Sequence, residues 1–217
     1  KLVQIPVSIA DLGLRRTNPL AQVLLTVLES TGARLRASWI ADLLAAEPVR
    51  LRWKISDEDL ADLQDMIRES GLRWGANADE RKQVDQPALD QNTARFALER
   101  LALGVLMPDE SPLGTINGDS DLLGPAVPMT IESRDRVRRV GQLSSIVRAV
   151  TAHRRALDSC ATVTQWQKRL TQLLDDLTAV TPKTSWLRAR VDSSLATFYQ
   201  TAATLEDTEL APGAVYQ

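Results

Sequence analysis

Apolar residues recur along most of this chain at spacings of three and four, the pattern of helices that each bury one face. Leu20, Val23, Leu24, Val27 and Leu28 form one such stripe behind Asn18-Pro19, a capping residue followed by proline at the first helical position. Ser38 is placed to cap a second helix carrying Trp39, Ile40, Leu43 and Leu44, which ends near Pro48. Ser56 heads a third. Asp57, Glu58 and Asp59 sit in its first turn, where carboxylates favour the helix dipole, and Leu60, Leu63 and Ile67 mark its buried side. Gly71 is positioned to end it. Residues 76–91 are polar and mostly irregular, and Asn92 or Thr93 then caps a helix that is apolar nearly all round from Phe96 to Met107. Such a helix belongs inside a core, so the pattern makes it central to the first half.

The periodicity lapses from Pro108 to Pro128, where "PDESPLGTINGDSDLLGPAVP" holds four prolines and three glycines. A connection of that length is either a functional loop or a flexible link. Three long helices follow. The first covers about 134–157 with Val137, Val140, Leu143, Val147 and Val150 on one side. The second covers 165–179 with Trp166, Leu170, Leu173, Leu174 and Leu177, and the third 185–205 with Leu187, Val191, Leu195, Phe198, Ala202 and Leu205. Pro182 separates the last two, as an antiparallel pair of helices requires. Only the opening "LVQIPVSI", β-branched and holding Pro6, reads as a short strand or extended edge. The reading is a mainly α protein of seven helices with a short N-terminal strand. Its expected organisation is a helical subdomain over 1–107, a Pro/Gly-rich seam over 108–130 and a three-helix, bundle-like subdomain over 131–217.

Composition narrows the function classes. The 217 residues suffice for one large domain or two small ones. A 44% hydrophobic and 25% charged composition is that of an ordinary globular protein, and a net charge of -2 carries no whole-chain mark of a nucleic-acid binder. Nucleic-acid contact therefore has to rest on a local patch. No run approaches the roughly 18 uncharged residues of a membrane helix, and no charged start leads into a short apolar stretch, so no membrane partner is expected. A lone Cys160 excludes an internal disulfide and fits a reducing compartment, which points to a cytoplasmic location. The sequence begins at Lys1 as though in mid-domain. A piece of a longer polypeptide is the expectation, with a removed initiator or tag as the alternative.

Catalytic chemistry finds little footing. There is no Gly-rich phosphate loop, and "TPKTS" at 181–185 lacks the glycines that let backbone N–H groups reach phosphate. His153 and Cys160 are about 10 Å apart along a helix, too far to share a metal ion. "ADERK" at 78–82 offers a carboxylate and a lysine, but no apolar strand to fix them around a cation. No catalytic residue, metal ligand or cofactor is assigned. The basic stretch "ESRDRVRRVGQ" is more informative. It puts Arg134, Arg136, Arg138 and Arg139 in the opening turns of a long helix, where cations oppose the dipole. Two readings stand: a solvated face with Glu132 and Asp135 as counterions, or a surface awaiting phosphates or carboxylates. Arg154 and Arg155 extend the positive charge, and Arg15 and Arg16 are a weaker instance. The junction "SGLRWG" at 70–75 reads locally as structural. Gly71 and Gly75 permit backbone turns, Trp74 can fill a gap between helices, and Arg73 can meet helix-end carbonyls or Glu99.

Three stretches together carry a resemblance: "IPVSIAD" at 5–11, "ESGLRWG" at 69–75 and "NTARFALERLALG" at 92–104. In order and spacing they resemble the gamma-chain (RecC) family of bacterial exodeoxyribonuclease V, the RecBCD helicase–nuclease. That family's pattern has an Ile-Pro-Tyr-Ser-like opening, a Gly-Ile-Arg-Trp-Gly junction and an Asn-Thr-Trp-Arg-Phe-Gly helix. The matching positions are Pro6, Ser8 and Asp11, then Arg73, Trp74 and Gly75, then Asn92, Thr93, Arg95 and Phe96. "LLAAEPVRLRWKISDEDL" between them is similar as well, and Trp166 resembles a family tryptophan in a late helix. Val7, Ala94, Ala97 and Ala102 depart from the pattern, which puts in doubt any contact made by the family's tryptophan at position 94. The resemblance implies helical insertion domains of an inactive superfamily 1 helicase-like fold. It implies a non-catalytic scaffold and DNA-channel segment, with RecB-like and RecD-like subunits and single-stranded or forked DNA as partners. Arg134, Arg136, Arg138, Arg139, Arg154, Arg155, Arg15 and Arg16 are then the candidate DNA contacts. An unrelated all-α regulatory or protein-interaction domain is the alternative.

Overall fold

Asn18, a buried polar residue, organises the first helix of the computed structural model, which describes residues 17–107, 128–131, 133–202 and 208–215. The expected strand and most of the expected seam lie outside these residues. The side-chain oxygen of Asn18 accepts from the Leu20 and Ala21 amides at the start of α1 (Pro19–Glu29), and its amide donates to the Leu187 carbonyl at 2.8 Å. One short side chain thus caps a helix and fastens a segment distant in sequence. The further helices are α2 (Ala37–Ala45), α3 (Glu47–Trp53), α4 (Asp57–Glu69), α5 (Ala78–Lys82), α6 (Ala94–Leu106), α7 (Arg134–Leu157), α8 (Val163–Leu177), α9 (Ser185–Ala202) and α10 (Pro212–Val215). Among the described residues, extended pairing is limited to two isolated bridges, Arg36 with Trp74 and Ala161 with Leu210. None of the described helices is long and apolar enough to cross a membrane.

The chain forms two compact units, and α2 and α7 contribute residues to both. One unit draws on residues 1–33, 43–54 and 148–217. In it α1, α3, α8 and α9 pack together around Val27, Leu44, Val49, Trp166, Leu173 and Leu177, all fully buried. A reciprocal capping box between Thr162 and Gln165 starts α8. The Trp166 indole N–H then donates to the Leu210 carbonyl at 3.1 Å, which fixes the segment leading into α10.

The other unit draws on residues 34–42 and 55–147, with Leu63, Met66, Leu101 and Ile146 at its centre. Ser56 and Asp59 close a capping box at the start of α4. Gly71, at φ +81°, turns the chain away after it.

Several expectations are corrected. Ser38 lies inside the first turn of α2 and does not cap it; the Ala37 amide is taken by the Arg73 carbonyl at 3.0 Å. Pro48 does not merely stop a helix but sits in the first turn of α3, where its missing N–H costs nothing. Helix α6 buries one stripe, Ala94, Ala97, Leu101 and Gly104, and leaves Ala102 and Leu106 exposed. Its small residues admit backbone instead of side chains: the Met129 amide reaches the Arg100 carbonyl at 3.1 Å. A Cβ on Gly104 would fall 1.7 Å from the Met129 oxygen.

Candidate nucleic-acid interface

The junction after α4 is held almost wholly by backbone. Gly71 and Gly75, both at positive φ, let the chain reverse twice within five residues. Between them the Arg73 and Trp74 amides share the Asn92 carbonyl, at 2.9 and 3.3 Å, and Asn92 itself takes φ +63° to present it. The Gly75 amide donates to the Leu35 carbonyl at 2.7 Å. The Gly75 and Ala76 carbonyls receive the Ala94 and Arg95 amides, the first free donors of α6. Thr93 supplies the cap with a fully buried side chain, accepting from the Phe96 amide. Arg95 is exposed and pairs with Glu99 at 2.9 Å, whereas Phe96 is half-buried below the Arg100 guanidinium at 5.9 Å.

Side chains at this junction behave differently from the sequence reading. Arg73 does not meet Glu99, which Arg95 occupies. The carbonyls ending α4 go to Arg100, whose Nη1 donates to Ser70 at 2.9 Å. Trp74 is half-buried and does not fill an interior gap; the guanidinium of Arg34 lies over its ring at 4.9 Å and that of Arg81 at 4.7 Å. The "ADERK" stretch forms α5, capped by Asn77. There Glu80 accepts from the Leu35 and Ala76 amides, so it braces the junction.

The arginines at the start of α7 meet carboxylates supplied by α4. Arg136 reaches Glu69 at 2.9 Å and Asp62 at 3.4 Å, and Arg138 reaches Asp59 at 2.7 Å. Arg139 joins Asp59 at 2.8 Å and Asp62 at 2.6 Å. The carboxylates Asp59, Asp62 and Glu69 lie at helical spacing along α4, whereas Glu132, one of the two local counterions read from sequence, lies outside the described residues. The unfavourable placement of cations at a helix start is reversed by this neighbour. The Arg139 bond holds the Asp59 carboxyl well below the usual carboxylate range; burial opposes this, and Ser56 and Arg138 reinforce it. In return, its bonds to Asp59 and Asp62 raise the pKa of Arg139.

The remaining candidates separate by exposure. Arg154 is buried and donates to the Ser30 hydroxyl at 3.1 Å, the Ser30 carbonyl at 2.9 Å and the Ala33 carbonyl. Arg134 and Arg155 are exposed. Arg15, Arg16, Pro6, Ser8 and Asp11 lie outside the described residues. His153 pairs with Asp176 at 3.1 Å, and among the described residues no three His, Cys, Asp or Glu side chains gather as metal ligands would. Sequence reasoning missed Arg34, Arg36 and Arg81. The available signal was "ARLRA", which puts arginines two apart on one side of an extended segment.

Comparison with known proteins adds the remaining findings. The family model for the fourth domain of RecBCD enzyme subunit RecC matches residues 17–217. The RecBCD enzyme subunit RecC of Mycobacterium tuberculosis is 30% identical over 190 residues, covering 88% of this chain and 16% of that protein. The RecC subunit of Mycolicibacterium smegmatis is 31% identical over 79% of this chain and 15% of its own length. That of Escherichia coli K12 is 28% identical over 75% of this chain and 14% of its own length. The chain thus spans about a sixth of the curated relatives it matches.

Proposed function

The chain belongs to the RecC family, matching its fourth domain, and from that premise we propose that it is a non-catalytic scaffold segment bordering the DNA path of an exodeoxyribonuclease V gamma subunit. In this reading it forms helical insertions of an inactive superfamily 1 helicase-like fold. It serves ATP-dependent unwinding and degradation of DNA ends during double-strand-break repair, with RecB-like and RecD-like subunits carrying the motors and the nuclease. The family match sets aside an unrelated regulatory bundle.

The observation that carries the scaffold reading is the inward direction of the charged chemistry. The densest charge cluster, Arg136, Arg138 and Arg139 with Asp59, Asp62 and Glu69, secures one helix on another. Arg100 and Arg154 close helix-end and turn carbonyls in the same way. Such groups hold positions; they do not turn over substrate.

The test uses the purified chain with ATP and linear DNA. The expected result is no stoichiometric hydrolysis or cleavage, together with weak DNA affinity that falls steeply as salt rises. One ATP hydrolysed or one strand cut per chain overturns the reading. So does salt-independent or absent DNA binding by the full polypeptide.

A further inference from the structure

We propose that Arg34, Arg36 and Arg81, arranged around Trp74, form a clasp for the phosphodiester backbone of single-stranded DNA. The inference rests on the reading above, that this segment borders DNA, and it names the residues that touch the strand.

All four residues belong to one compact unit. Arg36 is the bridge partner of Trp74, so the two side chains leave the same face of the paired backbone. Arg34, two residues earlier on the extended segment, leaves that face too and lies over the indole at 4.9 Å. Arg81 reaches the same ring from α5 at 4.7 Å. Two guanidinium groups therefore lie over one aromatic, and Arg36 leaves the same face of the paired backbone beside it.

Their electrostatics set them apart from the arginines that open α7. Arg136, Arg138 and Arg139 each have a carboxylate within 3 Å, as do Arg95 and Arg188. Among the described residues, Arg34, Arg36 and Arg81 have none. The nearest acid along the chain, Glu80, is turned to the Leu35 and Ala76 amides. The Arg81 Nε is buried without a hydrogen-bond partner, so ring contact and not a polar anchor orients that group. Gathering cations without a counterion is unfavourable by Coulomb's law, and an anion placed among them reverses the sign.

The chemistry of that anion follows from the guanidinium. A planar guanidinium fixed on an aromatic is weakly hydrated and presents its N–H groups as a preset fork, the match for a phosphate or carboxylate. Three forks side by side suit a run of phosphates better than one small ion. Trp74 is already covered by arginines, so the bases do not stack on it. The open planes of the exposed Arg34 and Arg36 are available to them instead.

The test is made in the full polypeptide as the cell makes it, with a fluorescein-labelled oligothymidylate roughly 16 nucleotides long. Anisotropy titrations across a salt series give the slope of log affinity against log salt. Each lost phosphate contact on a single strand lowers that slope by about 0.7, so R34Q/R36Q/R81Q is expected to lower it by about 2. The charge-matched control K54Q/K168Q/K183Q, all exposed lysines, is expected to keep the wild-type slope. R34K/R81K is expected to keep the slope while losing several-fold in affinity, because charge survives and the stacked fork does not.

A folded triple-glutamine variant with the wild-type slope overturns the proposal. If that variant does not fold, R36Q alone decides, since Arg36 makes no ring contact: a slope lower by about 0.7 supports the clasp and an unchanged slope overturns it. A variant that keeps its DNA slope but no longer joins its partner subunits makes the patch a protein interface, which also overturns the proposal. If the wild-type protein itself shows no salt-dependent DNA binding, the broader DNA-path reading falls as well. If wild type binds with a salt slope and the arginine variant keeps that slope, the clasp alone falls.

Discussion

Replacing Arg139 by glutamine removes the best-shielded cation of the network that seats the first turns of α7 on α4. Its side chain is 12% exposed and makes two charged hydrogen bonds, to Asp59 at 2.8 Å and Asp62 at 2.6 Å. Hydrogen bonds to charged groups contribute about 1.5–3 kcal/mol each. Three effects reduce the sum. Arg138 and the Ser56 hydroxyl and amide still donate to Asp59. Asp62 is 21% exposed, so water replaces part of its lost partner. Removing a cation near a helix start also relieves a few tenths of a kcal/mol. A net loss of about 2–3 kcal/mol remains, which for a chain of this size lowers the melting midpoint by roughly 4–12 °C.

Thermal and urea unfolding of R139Q, followed by far-UV circular dichroism at low and high salt, checks this value. The loss is expected to persist at high salt, because a shielded network is screened less than an exposed pair. Were the arginine a surface cation opposing its own helix dipole, the substitution would raise the midpoint slightly. An unchanged or raised midpoint for R139Q therefore refutes the docking account.

Acid titration probes the same network. The folded-state pKa of Asp59 is depressed below its ordinary 3.8, so its stabilisation is present above that value and is lost as pH falls toward the folded value. Unfolding free energy is expected to decline below about pH 4, and D59N to remove part of that slope. R154M strands the Ser30 hydroxyl and the Ser30 and Ala33 carbonyls, at a cost of about 3 kcal/mol in urea unfolding, while the DNA salt slope stays at the wild-type value. G104A gains about 1 kcal/mol of helix propensity but forces Met129 off α6, for a net loss of about 1–2 kcal/mol. A stabilised G104A would mean that this backbone does not lie on the helix. N18A loses a helix cap and the bond from the Asn18 amide to the Leu187 carbonyl, together about 1–3 kcal/mol by denaturant unfolding, and N18D is expected to restore only the cap.

Much of the helical layout was legible because its signals are local. Asn18-Pro19, Ser56 with its acidic first turn, and Thr93 each start the helix they were read to start. The span 134–157 and the stripe from Trp166 to Leu177 follow from spacing alone. The misses share a cause, which is tertiary substitution for a local signal. Ser38 is not needed as a cap because a carbonyl from the junction takes the Ala37 amide. Helix α6 looks central by composition, yet its apolar residues ring all sides while its small residues choose the face that packs. Val137, read as buried, is 40% exposed, because the ion pairs on α4 set the rotation of α7 there. The candidate site was the least legible part. Nothing in "ESRDRVRRVGQ" announces that its carboxylates come from a helix some seventy residues earlier.

The arginines of this chain divide by what lies opposite them, and that division is the physical basis for assigning function. A buried guanidinium is costly unless each donor finds an acceptor, so Arg139, Arg154 and Arg100 tolerate only one placement of the elements they join. They specify register as much as they stabilise it. Arg138 marks the middle case: 52% exposed, it still holds Asp59 at 2.7 Å, so its charge is neutralised before any ligand arrives. Arg34, Arg36 and Arg81 stand at the other extreme, with no carboxylate partner among the described residues and, for Arg34 and Arg81, an aromatic in its place. An aromatic fixes the plane of a guanidinium but leaves its charge uncompensated. A rigid frame built from the first set is what keeps the second set converging, since the backbone at Leu35, Gly75 and Asn92 that aims these side chains is bonded throughout. Loosening that frame should therefore weaken DNA binding without removing a single cation. G75A, which strains a φ of +87°, is expected to lower affinity for the oligothymidylate while leaving the salt slope nearly intact. A slope that fell with affinity would mean that the junction contributes contacts and not orientation.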